Sequence, residues 1–142
     1  MTDRTANVTW SGSLMEGSGT IENVSSGAFG PLEVTWASRT EDPEGLTSPE
    51  ELIAAAHAAC FSMALSHGLA QAGTPAARLD TSATVTFVPG SGITRIALVV
   101  RGSVPGIGAT EFAEAAAAAK EGCPVSKALA AVPEITVEAA LQ

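Results

Sequence analysis

Positive charge is scarce in this 142-residue chain. Seven Lys and Arg stand against fifteen Asp and Glu, the formal net charge is −8, and the sequence pI is near 4.6. A face that neutralises phosphates needs a basic stripe, and none can be built here, which excludes nucleic acid and an anionic membrane surface as partners. Charge of either sign is sparse at 15%, whereas 46% of the residues are hydrophobic, the balance of a folded chain and not a disordered one. Long apolar runs are missing too: no stretch approaches ~18 consecutive apolar residues, and Met1-Thr2-Asp3-Arg4-Thr5 lacks the basic and apolar regions of a secretory signal. The expectation is a soluble, cytoplasmic protein with no membrane partner. At this length one domain spanning residues 1–142 is expected, able to bury a core without staples. There are only two cysteines, Cys60 and Cys123. In a reducing compartment such a pair is more often catalytic, redox-active or metal-binding than structural.

What is present reads as strands, helix, strands, helices, strand, an α+β order. Val8-Thr9-Trp10, Thr20 to Val24 and Leu32 to Trp36 are short period-2 runs between Gly and Ser clusters, a meander of antiparallel strands, with Arg39 leaving the last one. Thr40 to Thr47 is a polar loop. Ser48-Pro49-Glu50-Glu51 then supplies a capping serine, a first-turn proline and a capping-box glutamate. They open a long helix from Pro49 to about Ala72, stopped at Gly73. Its centre carries almost no charge, so it belongs in the middle of a domain or between two chains. Leu79 to Val88 and Ile93 to Val104 are strands joined by the turn Pro89-Gly90-Ser91-Gly92. A second helix runs from Glu111 to about Lys120, a short third one from Pro124 through Ala131, and Ile135 to Ala139 alternates as a final strand. Trp10, Trp36, Phe29, Phe61, Phe87 and Phe112 are read as core material.

Cys60 sits mid-helix, where it packs as a small hydrophobe unless its thiol has a partner. Cys123 precedes Pro124 at a helix start, where backbone N–H groups favour a thiolate. The two are 63 residues apart, so only the fold decides whether they meet. If their Cα atoms approach within ~6 Å a disulfide can close, transient in a reducing compartment. A guanidinium is the simplest means of lowering a thiol pKa. Arg39, at the entry to the cysteine helix, is the candidate, although Arg4, Arg78, Arg95 and Arg101 are also available and most arginines are surface residues. Glu50 and Glu51 suit the first helical turn. Glu50 lies ten residues before Cys60, ~15 Å along the axis and ~80° around it, so it reaches its own Cys60 with difficulty and an antiparallel partner's Cys60 more easily. His57, one turn before Cys60, is either a structural polar residue or a base for the thiol. His57, His67 and the two cysteines lack the ligand spacing of a zinc site, and no metal or cofactor is expected.

The segment Ser48-Pro49-Glu50-Glu51-Leu52-Ile53-Ala54-Ala55-Ala56-His57-Ala58-Ala59-Cys60-Phe61-Ser62-Met63-Ala64-Leu65, with Val104-Pro105-Gly106-Ile107 and Gly122-Cys123-Pro124-Val125-Ser126, resembles the OsmC/Ohr family of thiol peroxidases, its OsmC branch above all. Ser48 replaces the usual asparagine before the proline, and both residues cap helices. The resemblance implies an intertwined homodimer of antiparallel sheets around long central helices, with active sites at the interface. It implies that Cys60 is the peroxidatic and Cys123 the resolving cysteine, that Arg39 activates the thiolate, and that Glu50 holds Arg39. It also implies an organic hydroperoxide substrate and a dithiol reductant, such as a lipoylated protein. Placement of the arginine just before the helix favours the OsmC over the Ohr branch. A thiol-based redox sensor and a non-enzymatic stress or binding protein are the alternative readings.

Overall fold

The computed structural model describes residues 1–142. In chain order its elements are β1 (Ala6–Ser11), β2 (Ser18–Val24), β3 (Leu32–Val34), α1 (Trp36–Thr40), α2 (Pro49–Gln71), β4 (Arg78–Val88), β5 (Gly92–Ser103), α3 (Ala109–Gly122), α4 (Pro124–Ala128) and β6 (Glu134–Leu141). They gather into two compact units, Met1–Leu52 and Ile53–Gln142, with the boundary just after the first turn of α2.

The first unit is the antiparallel sheet β1-β2-β3 followed by α1 and the start of α2. Ile21 is its buried apolar residue. Gly19 lets its neighbours pack closely: a Cβ there would stand 2.7 Å from the Trp10 ring and 2.9 Å from Val34, so one of them would have to shift. Trp10 and Phe29, expected in the core, are 41% and 45% exposed, since a single small sheet leaves its aromatic residues half covered. Arg39 does not leave a strand. The strand stops at Val34 because Thr35 and Ser38 exchange hydrogen bonds, Ser38 N–H to Thr35 Oγ1 at 3.0 Å and Thr35 N–H to Ser38 Oγ at 2.9 Å. This reciprocal cap starts α1, which carries Arg39 in its last turn.

The second unit pairs β4 with β5 antiparallel across the expected turn, where Gly90 and Gly92 take φ of +85° and +91°. β6 returns by way of α3 and α4 and lies parallel to β5, with Ile96 opposite Ile135 and Val100 opposite Ala139. The sheets are therefore antiparallel up to this last pair, which a helical crossover makes parallel. Phe61, Leu65 and Leu69 of α2 meet Leu98 and Val100 of β5 and Phe112 and Ala116 of α3 in one buried core. α2 ends in a Schellman motif, Gly73 at φ +82° with Thr74 N–H donating to Leu69 O and Gly73 N–H to Ala70 O. α4 is shorter than expected and stops at Ala128.

Length and composition alone would let α2 cross a membrane, with 23 residues and a mean hydropathy of 1.4 over its most apolar stretch. Two of its central polar side chains nevertheless have protein partners: Ser62 Oγ lies 2.8 Å from Thr81 Oγ1, and His57 Nε2 lies 2.7 Å from Ser126 Oγ. The opposite face is exposed and made of Ala55, Ala56, Ala59, Met63, Ser66, His67 and Ala70.

Candidate active site

The residues singled out in the sequence form two constellations, one in each unit. In the first, Arg39 and Glu50 are locked together. Arg39 Nε stands 3.0 and 3.1 Å from the two Glu50 carboxylate oxygens, and its Nη2 stands 2.8 Å from Oε1. Glu50 is buried in the first turn of α2 while Arg39 stays partly exposed over the Trp36 ring, 5.8 Å from its centroid. The fork geometry orients the guanidinium instead of leaving it to sample solvent. The Ser38 hydroxyl reaches the Thr35 and Thr47 carbonyls at 3.0 Å each, which ties α1 to the loop entering α2.

In the second unit the fold answers the question the spacing left open. The Cys60 and Cys123 side chains are in hydrogen-bond contact, and both are free thiols. Cys60 is half-buried and Cys123 fully buried behind it, at the N-cap of α4. A reagent from solvent therefore meets Cys60 first.

Burial pushes the Cys60 thiol above the ordinary cysteine range, and the hydrogen bond and charge of Cys123 push it further, against a weaker pull from the Val125 N–H. Burial opposes ionisation of Cys123 as well. Donors outweigh it there: the Cys60 thiol, the Ser126 N–H and hydroxyl, and the Val125 N–H together hold Cys123 below the usual range. Of the two thiols, Cys123 is the one whose ionisation its surroundings favour.

His57 is completely buried, and burial lowers its pKa and keeps it neutral. It touches the thiol pair through Ser126, and its Nδ1 has no hydrogen-bond partner. No group of three or more His, Cys, Asp or Glu side chains gathers to hold a metal ion. Sequence reasoning missed Ser126. The available signal was its position three residues after Cys123 in Cys123-Pro124-Val125-Ser126, the spacing at which a helix-capping partner stands.

Residues 41–138 match the profile of a family described as OsmC-like protein. The chain belongs to that family. As an OsmC-like chain it is 45% identical over 132 residues to the peroxiredoxin OsmC of Escherichia coli strain K12, covering 91% of this chain and 90% of that one. Among solved structures, the organic hydroperoxide resistance protein OsmC of Legionella pneumophila shares the fold, with a TM-score of 0.65, 22% identity, and coverage of 97% of this chain and 96% of that one. The organic hydroperoxide resistance protein OhrB of Bacillus subtilis aligns with a TM-score of 0.61 at 25% identity, over 97% of this chain and 98% of that one.

Proposed function

We propose that this OsmC-like protein is a cysteine-based peroxidase that reduces organic hydroperoxides, and hydrogen peroxide less well. One observation carries the reading: two free thiols in contact, the outer one reachable and the inner one supplied with donors. The names of its relatives, a peroxiredoxin and organic hydroperoxide resistance proteins, point the same way.

In the proposed cycle the Cys60 thiolate attacks the distal oxygen of the hydroperoxide. The O–O bond breaks, the alcohol departs after taking a proton, and Cys60 is left as a sulfenic acid. Cys123 attacks Cys60 Sγ, the S–O bond breaks, water leaves, and the Cys60–Cys123 disulfide forms. An external dithiol, such as a lipoylated protein, reduces it. Free thiols suit a reducing, cytoplasmic setting. Ala59 and Met63 lie beside Cys60 on the exposed face of α2 and, at an interface with a second copy, would line the approach to the thiol with apolar surface.

The reading includes a homodimer in which the exposed face of α2 packs on a second copy and the Arg39–Glu50 pair of one protomer serves the thiol pair of the other. The ten-residue spacing of Glu50 and Cys60 on one helix favours this arrangement in trans. The raised Cys60 thiol is the observation that favours the alternative, a non-enzymatic binding protein or a sensor with slow thiols. Steady-state peroxide consumption with dihydrolipoamide as reductant separates them. Wild type should turn over cumene hydroperoxide with a higher kcat/KM than hydrogen peroxide. Cys60→Ser should abolish turnover, and Cys123→Ser should reduce one equivalent and then overoxidise. Unimpaired multiple turnover by Cys123→Ser would remove the resolving role.

A further inference from the structure

The buried side chains behind the thiol pair form an unbroken chain of contacts: Cys60, Cys123, Ser126, His57. We propose that Ser126 and His57 are positioning residues for the resolving step: His57 holds the Ser126 hydroxyl on Cys123 Sγ, so that Cys123 attacks the oxidised Cys60 as a thiolate. The inference rests on the peroxidase reading and adds to it the residues that prepare the second half-reaction.

The argument turns on one proton. Ser126 has a single hydroxyl hydrogen and two neighbours, His57 Nε2 at 2.7 Å and the Cys123 sulfur. If His57 carried its proton on Nδ1, Ser126 would donate to Nε2, Cys123 would lose a donor, and a buried Nδ1–H would have no acceptor. With the proton on Nε2, His57 donates to Ser126, Ser126 donates to Cys123, and the only unpaired site is a lone pair. An orphaned buried donor costs more than an under-used acceptor, so the second arrangement is the one the burial selects. Each link polarises the next, which strengthens the last bond to sulfur.

The role matters after the peroxide has reacted. Once Cys60 has ionised and been oxidised, its thiol no longer donates to Cys123. What remains is the Ser126 hydroxyl with the backbone N–H groups of Val125 and Ser126. In the resolving step the Cys123 thiolate electron pair forms the S–S bond. The Cys60 S–O pair leaves as hydroxide and is protonated to water by the proton that Cys123 released, so the step consumes no outside reactant. The other charged groups near this chain are Lys120, Glu121 and Lys127, which line a cavity of about 270 Å³ together with Ser126.

The test separates the two half-reactions by rapid quench after one equivalent of cumene hydroperoxide, with sulfenic acid trapped as its dimedone adduct and disulfide read by mass. Ser126→Ala and His57→Leu should still form sulfenic acid from one equivalent of peroxide. Both should close the disulfide about tenfold more slowly at neutral pH, the loss of one hydrogen bond to a charged group, with the closure midpoint moved to higher pH. His57→Gln, which restores an N–H near the Nε2 position, should recover most of the rate. Wild-type closure rate and midpoint in Ser126→Ala would overturn the proposal. If wild type forms no sulfenic acid, the peroxidase reading fails. The positioning claim is then decided by thiolate absorbance near 240 nm in Cys60→Ser, where Cys123 is the only thiol. A midpoint raised by Ser126→Ala supports it, and an unmoved midpoint overturns it.

Discussion

At the scale of single residues, the two cysteines divide the work by environment. Cys60 has access without activation in its own unit, and Cys123 has activation without access. The Arg39–Glu50 fork holds a positive charge in a fixed direction, and the proposed cycle assigns that charge to the Cys60 thiolate. Arg39→Ala should therefore move the pH midpoint of Cys60 alkylation upward, because loss of a cation disfavours the thiolate, so that less of it is present at neutral pH. Iodoacetamide labelling across pH, with circular dichroism to confirm the fold, reads this directly, and an unchanged profile would count against Arg39. Cys60 and Cys123 were visible in the sequence by type, and Arg39 and Glu50 by their place at the helix entry, with their roles given only by the family resemblance. Ser126 was not, since a serine is ordinary until the fold sets its oxygen between a buried histidine and a thiol.

At the scale of elements, the parts that were legible are those with local punctuation. Ser48-Pro49 opens α2, Gly73 closes it with a positive φ, and Pro89 to Gly92 turns β4 into β5. α1 was hidden because Thr35-Trp36 has strand-forming side chains, and the cap that overrides them uses Ser38 where Glu or Gln would be the familiar signal. The parallel direction of β6 was hidden for a different reason: local alternation reports a strand but not which neighbour it joins or in which sense. Close approach between elements is also non-local. Gly102 of β5 faces Phe112 of α3, and an added Cβ would stand 2.5 Å from the ring. Gly102→Ala should cost ~1 to 3 kcal/mol by overpacking, measured as a lower urea midpoint with unchanged m-value. Wild-type stability would show that this contact is slack.

At the scale of the whole molecule, the unexplained surface is the face of α2 turned away from the core. Met63 is 72% exposed within a row of alanines, on a helix apolar enough to need cover. A second copy of the same helix is the proposed cover, because small residues let two helices approach closely. Met63→Glu places a charge in that contact and should shift the protein from dimer to monomer in sedimentation velocity. It should also lower peroxidase turnover if the Arg39–Glu50 pair acts across the interface. A wild-type monomer would contradict the arrangement in trans. The central claim is the two-cysteine cycle itself, and intact mass with peptide mapping tests it most directly. The reduced protein, given one equivalent of cumene hydroperoxide, should lose ~2 Da and yield a peptide pair joining Cys60 to Cys123. No mass change, with both thiols confirmed reduced at the start, would make the cysteines structural and contradict the account.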